Sequence, residues 1–255
     1  MKVVTWNVNS IRARLERLEA FLERHDPDVV CLQETKVQDD SFPEQAVKDA
    51  GYHVVFHGQK TYNGVAILAK SEPEEVVAAF EDGEDDSEAR LLAATVDGVR
   101  IINVYVPNGK EVGHEKYDFK LRWLERLSEF VANDAAPDEE LLICGDFNVA
   151  PGDLDVHDPK KWDEKILCST PERDALEALT EWGLTDAFRH LYPDEIQFSW
   201  WDYRSLGFQK NAGLRIDLFL LSAPLLERCT DVVIDREERK GQGASDHAPV
   251  IAVFE

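Results

Sequence analysis

Leu141-Leu142-Ile143-Cys144-Gly145-Asp146-Phe147-Asn148 is the stretch from which the rest of this 255-residue chain is read. It has the form of a short buried strand that ends on two polar residues. In an extended chain, positions two apart share a face, so Asp146 and Asn148 point the same way. Gly145 leaves room there for a close approach. A turn is the competing reading, because Gly, Asp and Asn all favour turns. Recurrence tips the balance towards a site. Apolar strands also end at Asn7 and Asn9, at Glu34, at Tyr105 and Asn108, and at Asp246 with His247.

The bulk properties bound the answer. The length suits one domain over 1–255, with enough apolar content for a full core. No run is long enough to span a bilayer, which argues against a membrane role. Met1-Lys2-Val3-Val4 reads as a strand start and not as a signal peptide, so a cytoplasmic location is expected. Cys31, Cys144, Cys168 and Cys229 form no close pair, which leaves zinc and thioredoxin-like motifs unsupported. Cys31 and Cys144 fall inside apolar runs and read as buried thiols. The formal net charge of −23 repels phosphate at long range, so any nucleic-acid contact needs a local basic strip. Arg90, Lys110, Arg204 and Lys210 are the candidates. The acidic runs Glu81-Asp82-Gly83-Glu84-Asp85-Asp86 and Pro137-Asp138-Glu139-Glu140 read as solvated loops, and the acidity suggests adaptation to a salty cytoplasm.

Strands are expected over 2–8, 28–32, 52–57, 64–69 and 75–80. A hairpin of 89–96 and 99–106 turns at Asp97-Gly98. Later strands are expected at 141–146, 215–221, 230–234 and 248–254. Helices are expected from Ser10 as cap through Leu22, over 42–50, over 116–131 and over 172–182. In the 116–131 helix Phe119, Trp123, Leu127 and Phe130 form one apolar stripe, and Gly183 stops the 172–182 helix. Residues 151–170 and 190–213 read as irregular. Helices and strands mix throughout, which predicts an α/β fold of two packed sheets covered by helices.

Asp217 stands alone in Arg215-Ile216-Asp217-Leu218-Phe219-Leu220-Leu221. A buried charge needs a partner. Arg215 offers a structural ion pair, and His247 offers a catalytic one across strands. Carboxylates gathered without thiols suit a hard cation, Mg²⁺ or Mn²⁺. A carboxylate–His pair, a metal and amide donors together are what phosphoester hydrolysis needs: the metal and imidazole stabilise charge, and a further carboxylate aligns water.

Thr5-Trp6-Asn7-Val8-Asn9, Leu32-Gln33-Glu34-Thr35-Lys36, Gly145-Asp146-Phe147-Asn148, Gly213-Leu214-Arg215-Ile216-Asp217 and Ser245-Asp246-His247-Ala248-Pro249 resemble the exonuclease III family. These are the bacterial class II abasic-site endonucleases of the endonuclease/exonuclease/phosphatase superfamily. The resemblance runs in order along essentially the whole chain. His57-Gly58-Gln59-Lys60, Val106-Pro107-Asn108-Gly109 and Phe198-Ser199-Trp200-Trp201-Asp202-Tyr203-Arg204 are particular to this branch. Ala244 stands where the family often has Pro, and Trp201 where it often has Phe.

The resemblance implies a four-layered α/β sandwich of two mixed sheets flanked by helices, and a Mg²⁺-dependent phosphodiesterase acting as a monomer on duplex DNA with abasic sites or blocked 3′ ends. It implies a metal site around Glu34 with Asn7, Asp146, Asn148, Asp246 and His247. Asp146 would orient or deprotonate water, Asn148 would help hold the phosphate, and His247 backed by Asp217 would bind a phosphate oxygen beside Tyr105. Asn9, Asn108, Trp200, Trp201 and Arg204 would face substrate, and Trp200, Leu214 and Ile216 would form an apolar pocket for an abasic sugar; the competing reading makes Trp200 and Trp201 core aromatics and Leu214 and Ile216 core residues of a strand. The rivals are a sugar- or lipid-phosphate phosphatase, a non-specific nuclease, and a non-catalytic nucleic-acid-binding module.

Overall fold

Successive residues of the Leu141 stretch pack on opposite layers, and that alternation sets the architecture. In the computed structural model, which describes residues 1–84 and 87–255 (for Ser205 the backbone alone), Leu142 and Cys144 belong to one apolar cluster and Leu141 and Ile143 to another. A strand covered on both faces needs this continuous apolar run.

The strands are β1 (Lys2–Asn7), β2 (Val29–Gln33), β3 (His53–His57), β4 (Val65–Ala69), β5 (Glu74–Val77) and β6 (Leu91–Val96). There follow β7 (Val99–Tyr105), β8 (Leu141–Asp146), β9 (Thr185–Asp186), β10 (Asp217–Leu221), β11 (Cys229–Ile234) and β12 (Val250–Phe254). Two six-stranded sheets result, ordered β11-β12-β1-β2-β4-β3 and β5-β6-β7-β8-β10-β9. β1 with β2 and β7 with β8 are parallel, and the remaining pairs are antiparallel, so both sheets are mixed.

The helices are α1 (Ile11–His25), α2 (Glu44–Asp49), α3 (Glu115–Asp134), α4 (Pro159–Trp162), α5 (Thr170–Trp182), α6 (Ala187–Leu191) and α7 (Ala223–Arg228). Leu18, Phe21 and Leu22 of α1 and Val47 of α2 pack on the outer face of the first sheet. Trp123, Leu124 and Leu127 of α3 and Leu176 and Leu179 of α5 cover the second. Between the sheets, Val3, Cys31 and Ile67 meet Leu92, Ile101, Cys144 and Phe219. These layers make the expected four-layered sandwich.

Local chemistry accounts for most boundaries. Ser10 Oγ accepts the Ala13 N–H at the start of α1. Asp97 and Gly98 both take positive φ in the β6–β7 hairpin, as a tight two-residue turn requires. Gly145 does leave room for a close approach, but its occupant is the neighbouring strand. A Cβ there would lie 1.9 Å from the Val104 carbonyl oxygen. β9, α6 and α7 escape a reading from periodicity because each is too short to show any. The expected stripe on α3 needs one correction: Phe119 is 40% exposed while Trp123 and Leu127 are buried.

The acidic run 81–86 is not simply solvated. Asp82 pairs with Arg126 and Glu84 with Arg122 of α3, while Asp85 and Asp86 lie outside the described residues. The 51 acidic against 28 basic side chains still leave strong self-repulsion. Salt screens such repulsion. The melting temperature is expected to rise across a KCl series, and a flat or falling series would remove the idea of salt adaptation.

Candidate active site

The polar strand ends gather at one rim of the inter-sheet layer. Residues 3, 5 and 7 of β1 alternate onto the face that meets the second sheet, and residues 142, 144 and 146 of β8 do the same from the other side. Asn7 and Asp146 therefore converge. The Asn7 amide donates to Asp146 Oδ2 and to Glu34 Oε1, both at 2.9 Å. Beneath them a buried polar layer joins the sheets: Gln33 Nε2 donates to Asn103 Oδ1 (2.7 Å) and Thr5 Oγ (2.9 Å), and Asn103 donates to the Leu32 and Ala66 carbonyls.

His247 decides between the two readings of Asp217. Its Nδ1 lies 2.9 Å from Asp217 Oδ2, and its Nε2 lies 3.6 Å from Asp146 Oδ2. Arg215 turns elsewhere: Nε pairs with Asp155 at 2.8 Å and an Nη with Asp186 at 2.6 Å, all inside the fold. Asp217 is thus the partner of the histidine. Ser199 Oγ accepts the backbone N–H groups of Ile216 and Asp217, and Ser245 Oγ donates to the Asn7 carbonyl and accepts the His247 N–H. These two serines tie the Trp loop, the Asp217 strand and the His247 segment together. Sequence reasoning passed over their role because a lone serine carries no pattern.

Glu34, Asp146 and His247 each present one ligand atom within 4.8 Å of the others. Asp246 lies outside that trio. It accepts from Asn9 Nδ2 at 2.9 Å and Trp200 Nε1 at 3.1 Å. Both ends of the Asn148 amide are engaged, Oδ1 by Asn108 and Nδ2 with the Val106 carbonyl, while its N–H donates to Asp146 Oδ1. Lys36, quoted in its motif but given no role by the sequence, pairs with Glu34 at 2.6 Å and donates to Asn9 Oδ1 at 2.5 Å. Asn9, Glu34, Lys36 and Asn148 all take positive φ. Such conformations cost energy and concentrate at functional sites.

The electrostatics follow from this crowding. Burial pushes the Asp146 carboxyl up to about 7, with Asp217 and Glu34 adding to the push against His247 and the Asn7 amide. Burial alone would lower the His247 imidazolium; the carboxylates of Asp217, Asp146 and Asp246 outweigh it and lift the ring to about 10. Burial, then Glu34, raises the Tyr105 phenol well above its ordinary value. The donor set fits a hard cation. Glu34 and Asp146 supply oxygen, no thiol belongs to the group among the described residues, and the charged ring offers hydrogen bonds in place of a free nitrogen.

The His247 shift carries a stability prediction. A raised folded value means stability fully present below the unfolded value of 6.5 and lost as pH rises through about 10. In excess chelator the melting temperature should fall between those limits, and more steeply than in His247→Gln. Parallel slopes for the two proteins would contradict the ion pair.

Three expected substrate residues need correction. Trp201 is 0% exposed and packs in the inter-sheet core against Phe208, so it cannot face DNA. Its ring fits there because Gly213 has no side chain: a Cβ at Gly213 would sit 2.5 Å from Trp201 Nε1. Leu214 and Ile216 are likewise buried at 0% and 1%, and they form no open pocket. They pack with Val156 and Leu167 beneath the half-buried Trp200, which pairs with Leu214 through the backbone. Arg90 is no free surface cation either, since Glu88 holds it at 2.5 Å and its guanidinium lies 4.7 Å over the Tyr105 ring. Lys110, Arg204 and Lys210 are exposed, as is Asn108.

A paired histidine, a carboxylate of raised pKa and a hard-cation ligand set on a two-sheet sandwich define a phosphoesterase, and the chain belongs to the Endonuclease/Exonuclease/phosphatase family, whose pattern covers residues 4–247. Within it the chain is similar to exodeoxyribonuclease III of Haemophilus influenzae, at 40% identity over 266 positions and all of both chains. A 3′ phosphatase, NExo, from Neisseria, bound to product DNA hairpin, superposes with a TM-score of 0.98 at 44% identity, covering 100% of this chain and 99% of that one. An AP endonuclease from Archaeoglobus fulgidus gives 0.97 at 41% identity, with the same coverage. The chain is therefore a nuclease, hydrolysing phosphoester bonds as this group does.

Proposed function

We propose that this enzyme cleaves duplex DNA on the 5′ side of abasic sites, trims blocked 3′ ends and degrades strands from 3′ to 5′, using Mg²⁺, for which Mn²⁺ substitutes. The observation that carries the reading is the meeting of Asp146 with the Asp217–His247 pair at the Glu34 rim, directly beside Trp200. Relatives named exodeoxyribonuclease III, 3′ phosphatase and AP endonuclease support it. We read the chain as one domain that works as a monomer in the cytoplasm; among the described residues no helix is long and apolar enough to cross a membrane.

Glu34 and Asp146 would hold the cation, with Asn7 spacing the two carboxylates. Bound there, the cation offsets the charge that develops on the phosphate oxygens. Asp146, held by the Asn7 amide and facing the His247 ring, is placed to accept a proton from the attacking water. His247 donates from Nε2 to a phosphate oxygen, while Asp217 fixes its orientation through Nδ1. Asn148 and Asn108, already bonded to each other, hold a second phosphate oxygen. An abasic sugar leaves the helix at lower cost than an intact nucleotide. It would meet the exposed part of Trp200, with Leu214 and Ile216 as backing.

The test is cleavage of a duplex carrying one abasic site, beside an intact duplex and a small phosphate monoester. Excess chelator should abolish the reaction and Mg²⁺ or Mn²⁺ restore it, with Glu34→Gln needing more metal. Trp200→Ala should lower kcat/KM on the abasic duplex far more than on the other two. Equal loss on all three would reduce Trp200 to a structural residue. Turnover of the small ester without the duplex would favour a phosphatase of the same family.

A further inference from the structure

A cavity of about 710 Å³ opens beside the catalytic rim, between α3 and the segment that leads into β6. Tyr105 and Asn108 form its end nearest the carboxylates, Phe119 and Trp123 its wall on α3, and Lys110 and Lys116 its edge. Its size lies in the range of sites that enclose a small organic ligand. We propose that it is a nucleobase subsite, which takes the base of an unpaired nucleotide next to the scissile phosphate and stacks it on Phe119. The inference rests on the DNA reading above and adds where a displaced base goes.

Phe119 is the first reason. It sits four residues before Trp123 on the same helix face, yet 40% of it is exposed while Trp123 is buried. An apolar ring held open to solvent in so acidic a chain contributes nothing to the core, and it borders the cavity. Charge is the second reason. Three arginines reach the cavity and each is matched by an acid: Arg90 by Glu88, Arg122 by Glu84, Arg126 by Asp82. Among the described residues the interior is therefore near neutral and disfavours a phosphate, while a flat uncharged base suits it. Lys110 and Lys116 carry no ion pair among the described residues, and Lys110 Nζ bonds the His114 ring at 2.9 Å. They are placed to meet the phosphates on either side of that base. Aromatic platforms flanked by cations are how proteins hold unpaired strands without reading sequence. A paired base would have to leave its stack to enter, so the subsite selects frayed, mismatched or single-stranded nucleotides.

The probe is a single-stranded oligonucleotide with 2-aminopurine placed on one side or the other of the position that would be cut, titrated with enzyme in excess chelator so that the strand stays intact. Stacking should quench the fluorophore on one side. Phe119→Ala should remove the quench and raise Kd about tenfold, the scale expected for losing one base–aromatic stack. Phe119→Leu, which keeps an apolar side chain without the ring, should behave nearly the same. Lys116→Glu should raise Kd and keep the quench. Both positions are on the surface, so the three variants fold. No quench on either side, or an unchanged Kd in Phe119→Ala, would overturn the subsite. Cleavage of the abasic duplex by the unaltered enzyme is scored separately. Cutting without stacking sinks the subsite alone, and stacking without cutting at abasic sites sinks the repair reading and leaves the subsite standing.

Discussion

Asp146→Asn should lower kcat by roughly a hundred- to ten-thousandfold, the range expected when a general base is removed, and it should leave the fold intact. Asparagine keeps the size of the side chain and an oxygen for the Asn148 N–H, while its amide nitrogen takes the place of the oxygen that accepts from Asn7. It loses the charge and the proton acceptor. Burial already raises this carboxyl to about 7, so the fold tolerates its charge poorly at neutral pH. Linkage then gives the sign for stability: a group raised from 3.8 contributes stability present at low pH and lost as pH rises through about 7. A neutral amide escapes that loss, so the variant should melt at or slightly above the parent at pH 8. His247→Ala should also lose about a hundredfold or more, through the charge left unstabilised on the phosphate. Single-turnover cleavage beside thermal melts measures both. Near-normal turnover in Asp146→Asn would end its assignment as base, whatever the metal does.

The second large effect concerns stability at a place the reaction does not touch. Arg215→Met should cost about 3–5 kcal/mol, the loss expected when one partner of a buried charge network is removed. The guanidinium satisfies Asp155 and Asp186 together, and Asp155 also accepts from Arg189. Without Arg215, two carboxylates face each other with one cation at the edge. Arg215→Lys should lose less, because it keeps the charge and forfeits only the fork that reaches both acids. Adding Asp155→Asn and Asp186→Asn to the Met variant should recover part of the loss, since the unpaired charges go. Urea unfolding read by tryptophan fluorescence decides it. A loss under about 1 kcal/mol for Arg215→Met would mean that water relieves the acids and that the network holds little together.

The catalytic pair and this structural network are neighbours in sequence, and they show where a one-dimensional reading stops. Arg215 and Asp217 lie two apart, and the run alone allowed them to pair. The structure sends Arg215 to β9 and the turn at 153–155, and it gives Asp217 to a histidine 30 residues on. Distances between side chains on separate strands have no trace in local pattern. The same holds for Lys36, Ser199 and Ser245, whose work lies in contacts across 18 to 238 positions of chain.

What the sequence determined by itself is what local forces control. Continuous apolar runs made doubly covered strands, helical spacing made α1, α3 and α5, and Asp97-Gly98 made the hairpin. The motif order placed the carboxylates and amides at strand ends, and that was enough to read both the sandwich and the phosphoesterase chemistry. Tertiary structure alone decided which polar ends share one rim, because convergence depends on how two sheets stack. It also decided exposure. Trp200 and Trp201 are identical residues side by side in one loop, yet an extended backbone turns them to opposite sides. One covers Leu214 at the rim beside His247, and the other fills the space that Gly213 leaves in the core. Phe119 and Trp123 divide in the same way on one helix, because Trp123 packs into the cluster beneath α3 on the second sheet and Phe119 does not.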